Sequence, residues 1–205
     1  MNEGGKLATI AVLGGTGKEG RGLAYRWARA GYPVLIGSRA AEKAAQTANE
    51  LRGLLADRGS VAGLANAEAA ARAEVVAITV PYAAHAATLE AVKPALAGKL
   101  LIDVTVPLVP PRVTRVQMPP AGSAAQEARA ILGEGSQVVA AFHTIPHEAL
   151  LRDEPVDCEV LVTGTSKEAR TRALELVAAA GLVGWDAGPI ENSVVTEGLT
   201  SLLIH

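Results

Sequence analysis

The chain has 205 residues, 49% hydrophobic, 20% charged and only 3% aromatic, with a formal net charge of −2 at pH 7. That length holds one large domain, or one domain with a small appendage, and the balanced charge excludes the cationic field that captures nucleic acid or an anionic membrane. Apolar runs such as LATIAVL fall far short of the roughly 20 residues of a membrane span. The start, MNEGGK, lacks the basic and apolar regions of a secretory signal, and the single cysteine, Cys158, excludes an intrachain disulfide. The expectation is a cytoplasmic protein.

Taken in chain order, short β-branched apolar runs alternate with alanine-rich stretches of helical period. The pattern predicts strands at 7–13, 33–37, 61–64, 75–80, 100–104, 138–142, 160–164 and 182–186. Helices are predicted at 20–30, 40–58, 67–72, 85–96, 124–132, 167–180 and 194–204. Ser166 reads as an N-cap and Gly181 as the residue that ends the same helix. The alternation implies an α/β fold, doubly wound and Rossmann-type, with a largely parallel sheet and a short C-terminal extension. Strands this uniformly apolar are expected to be buried on both faces. Between 105 and 123, TVPLVPPRVTRVQMPPAGS carries too many prolines for helix or central strand. It is expected to be a long loop leaving the carboxyl end of the fifth strand, where open α/β sheets bind ligands.

Directly after the first strand comes GGTGKEG, in which Gly15, Gly17 and Gly20 satisfy the dinucleotide fingerprint. The chemistry asks for a tight turn at Gly15, a bare backbone at Gly17 facing a pyrophosphate, and close strand–helix packing at Gly20. A Walker A loop is excluded, since Lys18 is followed by Glu19 rather than Ser or Thr. At the end of the second strand, where NAD enzymes place a carboxylate against the ribose, stand Ser38 and Arg39, with Lys43 one helical turn on. A hydroxyl and two cations suit a 2′-phosphate, so NADP is expected over NAD.

No lysine lies four residues after a tyrosine, which removes the short-chain dehydrogenase proton relay, and there is no room for a long helical substrate domain. The reaction should need little acid–base help. His143 and His85 follow strands at their carboxyl ends; His143 can line a site or serve as a hydrogen-bonded structural histidine, and His85 can line a site or simply begin its helix. No metal-ligand spacing is present, so no metal is expected.

GGTGKEGRGLAYRWARAGYPVLIGSR, VPYAAH, TVPLVP, GSAAQEA, VVAAFHTIP and DAGPIENSVVTEGLTSLL together resemble the NADP-dependent reductases of coenzyme F420 over almost the whole chain. The resemblance implies hydride transfer between NADP(H) and the deazaflavin F420, both of them small-molecule partners. It implies that Thr16, Gly17, Lys18 and Glu19 line the pyrophosphate and adenosine side, and that Ser38, Arg39 and Lys43 hold the 2′-phosphate. Tyr82, Leu108 and His147 would contact the rest of NADP, with His143, Ile145 and Thr200 where the two rings meet. Residues 1–142 would form the NADP-binding Rossmann domain, and 143–205 the part completing the sheet and the deazaflavin site. Arg112 and Arg115 are candidates for a basic lip. The chain departs from the family pattern at Gly198, where Ser is usual, and many members continue beyond the position of His205. Alternatives are an NADPH-dependent flavin or ferric reductase and a non-catalytic NADP sensor. The apolar LTSLLI of the last helix suggests a homodimer contact.

Overall fold

The computed structural model describes residues 7–56, 58–152 and 154–204. The expectation of no signal on residues 1–6, position 57 of the 40–58 helix, and His205 lie outside them. The chain runs β1 (Ile10–Leu13), α1 (Lys18–Arg29), β2 (Val34–Ser38), α2 (Ala41–Leu54), β3 (Val61–Ala65), α3 (Asn66–Arg72), β4 (Val75–Ile78), α4 (Tyr82–Val92) and β5 (Leu100–Asp103). It continues through α5 (Ala124–Leu132), β6 (Gln137–Ala140), α6 (His147–Leu150), β7 (Glu159–Gly164), α7 (Lys167–Ala179), β8 (Val183–Pro189) and α8 (Ser193–Leu203). All eight strands form one sheet in the order β3-β2-β1-β4-β5-β6-β7-β8. Every pairing is parallel except β6 with β7. The order reverses between β1 and β4, which opens a crevice at the carboxyl ends of those strands.

Alternate residues of the central strands enter different cores. Ile10, Val12, Ile36, Ala77, Ile102 and Val139 pack with Leu23 and Trp27 of α1 and Val177 of α7. Ala11, Leu13, Val76, Ile78, Leu101 and Val138 pack with Leu89 of α4 and Ala125 of α5. The Trp27 ring meets Phe142 edge-on at 5.8 Å, and its Nε1 donates to the Leu176 carbonyl at 2.9 Å. Alanine on the helices lets them lie close to the sheet: a Cβ at Gly63 would drive into the backbone of Ala44 and Ala45.

Burial on both faces holds for the central strands and fails at the margins. β8 is half-buried at best, and Leu161, Val183 and Trp185 are exposed. β8 is an edge strand, and one face of the β7–β8 pair carries no helix over these side chains. The 85–96 helix begins earlier than expected, at Tyr82, with Pro81 in extended backbone as its N-cap. Ser166 caps α7 by accepting from the Ala169 amide at 3.1 Å, and Gly181 follows at φ +77. Residues 104–123 are irregular, as the prolines require, and α6 is a single turn that the pattern does not announce.

Candidate active site

The glycine turn after β1 is built against backbone. Gly14 adopts φ +74, and a Cβ there would stand 2.7 Å from Val80 Cγ1. The left-handed residue of the turn is Gly14, and Gly15 lies in the same tight turn, where its own Cβ would meet the Val12 carbonyl oxygen at 2.7 Å. At Gly20 a Cβ would collide with Thr79 Oγ1 and lie 2.9 Å from Gly15 Cα, so this glycine sets how close α1 comes to the sheet. Gly17 is the N-cap of α1 and offers no side-chain cap, which leaves the first amides of the helix for a ligand.

Two hollows adjoin over the end of β4, sharing Val80 and Pro81. The first, of about 270 Å³, brings together Thr16, Gly17, Ser38, Arg39 and Lys43. Arg39 and Lys43 are exposed, and neither has an ion-pair partner among the described residues. Two unpaired cations beside helix amides suit a polyanion. Asn66 lines the same hollow with its Oδ1 buried and unpartnered. The sequence reading missed it; its place where β3 passes into α3, beside the end of β2, was the available signal.

The second hollow, of about 530 Å³, is lined by Glu19, Tyr82, Leu108, His143, Ile145, His147 and Thr200. Glu19 thus lines the second hollow and not the first, where Thr16 and Gly17 lie, while Lys18 is exposed and lines neither. Phe142 holds φ +69, a costly conformation for a large side chain, at the point where the chain leaves β6 and delivers His143. Thr200 on α8 donates to the His143 carbonyl at 2.9 Å. Burial lowers the His143 pKa to about 4 against the opposing pull of Asp103, so the ring is neutral at pH 7, and its Nε2 is buried without a partner. Burial, reinforced by the charge of Glu148, raises Glu19 to about 8; its Oε1 is also buried and unpartnered. α6 carries His147, and α1 holds that segment in place. Arg26 donates Nε to the Leu150 carbonyl at 2.8 Å and Nη2 to those of Ala149, Arg152 and Glu154 at 2.9, 2.7 and 3.1 Å.

Comparison with known proteins is consistent with this geometry. The family model described as NADP oxidoreductase, coenzyme F420-dependent, matches residues 9–107. The F420-dependent NADP reductase of Methanothermobacter marburgensis is 44% identical over 203 residues, 96% of this chain and 91% of its own. The chain belongs to the F420-dependent NADP reductase family. The reductase of that name from Methanocaldococcus jannaschii is 38% identical over 203 residues, 95% of this chain and 90% of its own. A crystal structure from Arthrobacter sp. FB24, described provisionally as an F420-dependent NADP reductase, superposes with TM-score 0.77 at 30% identity, covering 95% and 91% of the two chains. Plasmodium falciparum pyrroline carboxylate reductase, solved with NADP bound, shares the fold at TM-score 0.60 and 13% identity, over 89% of this chain and 59% of its own.

Behind the second hollow, this member of the F420-dependent NADP reductase family buries a charged cluster that the sequence reading did not assemble. His85 faces inward on α4, its Nε2 2.7 Å from Asp103 Oδ2 and its Nδ1 3.4 Å from Glu127 Oε2. Burial alone would lower its pKa, but Asp103 and Glu127 outweigh that and hold it above the ordinary value. His85 neither begins its helix, which starts at Tyr82, nor lines either hollow; it is a buried, hydrogen-bonded histidine. Glu197 on α8 reaches the N-terminus of α5, accepting from the Ala124 and Ala125 amides at 2.7 and 3.1 Å. Burial and the charge of Asp103 raise it to about 8, against those two hydrogen bonds. A carboxyl at a helix N-terminus favours the charged form, yet in this dry interior desolvation wins. Arg112 and Arg115 are exposed and line neither hollow. A Cβ at Gly198 would have its nearest neighbour, Val116 Cγ1, at 3.5 Å, so the space for a side chain exists there. Among the described residues no helix is long and apolar enough to cross a membrane.

Proposed function

We propose that the two adjoining hollows hold NADP(H) and coenzyme F420 so that a hydride passes between the nicotinamide C4 and the deazaflavin C5. The observation that carries this reading is the seat at the end of β2: Ser38, Arg39 and Lys43 stand where a carboxylate would select NAD, and among the described residues the two cations have no ion-pair partner. The pyrophosphate lies along the Gly14–Gly17 turn and the first amides of α1, with the 2′-phosphate between Arg39 and Lys43. Tyr82, Leu108 and His147 contact the nicotinamide half, and His143, Ile145 and Thr200 border the place where the rings meet. The orphaned polar atoms of Asn66, Glu19 and His143 fit this assignment, because each would otherwise leave hydrogen-bonding capacity buried unused.

Transfer of a hydride between two planar rings asks for stacking distance, orientation and exclusion of water. The apolar wall of Ile145, Leu108 and Val80 supplies the last, and the Thr200–His143 tether supports the second. Functionally, residues 1–142 hold the nucleotide, and 143–205 complete the sheet and close the deazaflavin side. The exposed apolar side chains of α8, Val195, Leu202 and Leu203, lie bare in the monomer and form a homodimer contact. The protein works in the cytoplasm.

The test is stopped-flow absorbance of the deazaflavin on mixing with NADPH, repeated with Arg39→Ala. Reduction by the wild type is expected, with NADPH affinity falling on the order of 10–100-fold in the variant while NADH is little affected. Equal use of NADH and NADPH by the wild type, or an unchanged deazaflavin spectrum with bleaching of a flavin instead, would overturn the reading.

A further inference from the structure

We propose that Glu19 matches its charge to the oxidation state of the nicotinamide, holding a proton while that ring is reduced and neutral and giving it up when the ring becomes a cation. The inference rests on the assignment of the second hollow to the rings. Glu19 stands on the first turn of α1, one residue before the glycine that seats this helix against Thr79; it lines the hollow, and its Oε1 is buried with no partner.

The charges around it explain why. From α6 it meets Glu148, which repels it, and His147, whose Nε2 is engaged with Glu148 Oε1 at 3.0 Å. His143, beyond β6, is neutral, and Tyr82 of α4 bears no charge. The 104–113 segment and α8 face the hollow with Val104, Thr105, Leu108 and Thr200. On its own helix Lys18 is exposed and Arg21 pairs with Glu50 at 2.8 Å. A carboxylate at this point finds no cation among the described residues, and its pKa of about 8 keeps it protonated at pH 7. An oxidised nicotinamide supplies the missing positive charge; a unit charge within ~5 Å at an effective dielectric of ~20 lowers a carboxyl's pKa by about two pH units.

The balance closes. NADPH, oxidised deazaflavin and one proton become NADP⁺ and reduced deazaflavin: the electron pair leaves the nicotinamide C4 with its hydrogen and arrives at the deazaflavin C5. Glu19 releases the proton that the reduced deazaflavin takes up, and the reverse reaction returns it to the carboxylate.

The experiment needs no deazaflavin. NADP⁺ and NADPH are titrated calorimetrically into the protein at pH 7 in two buffers of different ionisation enthalpy. Both nucleotides carry the same 2′-phosphate, so its protonation cancels in the difference. NADP⁺ is expected to release close to one proton more than NADPH, and its affinity relative to NADPH to rise with pH between 6 and 8. Glu19→Gln should abolish the difference, weaken NADP⁺ about tenfold or more, and leave NADPH within about threefold. Glu148→Gln should keep the difference but move the profile to lower pH. Equal proton release by the two nucleotides in the wild type, or a difference that survives Glu19→Gln, overturns the proposal. Failure of both nucleotides to bind would instead overturn the assignment of the site.

Discussion

His143 shows how one residue is tuned by its surroundings. Its backbone is turned out of β6 by the left-handed Phe142 and tied by the Thr200 hydroxyl, and its ring is kept neutral by burial. Thr200→Val keeps the shape but leaves the His143 carbonyl without its donor. We expect a loss of roughly 1–2 kcal/mol in urea unfolding and slower hydride transfer, with Thr200→Ser recovering most of both; an unchanged transfer rate in the valine variant would show that the tether does not position the ring. His143 was legible as a candidate because it follows a strand at its carboxyl end. Gly14 was not legible as the turn residue, since 14, 15 and 17 are all glycine and only the approach of Val80 shows which must take positive φ.

At the scale of the element, α1 does three tasks: it presents free amides at its N-terminus, carries Glu19 into the second hollow, and fastens α6 through Arg26. Gly20→Ala should push α1 from the sheet and weaken NADPH and NADH alike by at least about tenfold. That contrasts with Arg39→Ala, which discriminates between them, and binding isotherms for both nucleotides separate the cases. Capping in α7 is independent of the site: Ser166→Ala is expected to cost ~1 kcal/mol of stability with nucleotide affinity unchanged. The Ser166 cap and the Gly181 stop could be read locally because each acts on its own helix. The early start of α4 and the single turn of α6 could not, because both depend on what the segment packs against.

For the whole molecule, the buried titratable groups set a pH response. Glu19 and Glu197 hold their protons to about pH 8 when folded, against an ordinary 4.5. Their contribution is complete below pH 4.5 and is lost as pH rises through 8. His85, raised above 6.5, contributes with the same sign. His143, lowered to about 4 from 6.5, works the other way, its contribution complete above 6.5 and lost as pH falls toward 4. Between 6.5 and 8 the carboxyls and His85 act without that opposition, so the urea midpoint should fall as pH rises through this window. Glu197→Gln should flatten the fall; an equally steep fall in that variant would mean Glu197 ionises freely when folded. On the outer surface, Leu202→Asp should convert a dimer to monomer in sedimentation, and an unchanged sedimentation coefficient would assign that face elsewhere.

Alternation and the glycine turn announced a doubly wound fold, and the Ser38-Arg39-Lys43 run led to the expectation of a 2′-phosphate, because such signals are carried by residues close in sequence and act on their own strand, turn or helix. The quoted motifs brought the family into view for the same reason. The exposure of β8, the placement of Glu19 in the second hollow, and the joining of His85, Asp103, Glu127 and Glu197 were decided by folding. These depend on which faces find a neighbour and on desolvation, and both come into being only when segments up to about a hundred residues apart in the chain are packed together.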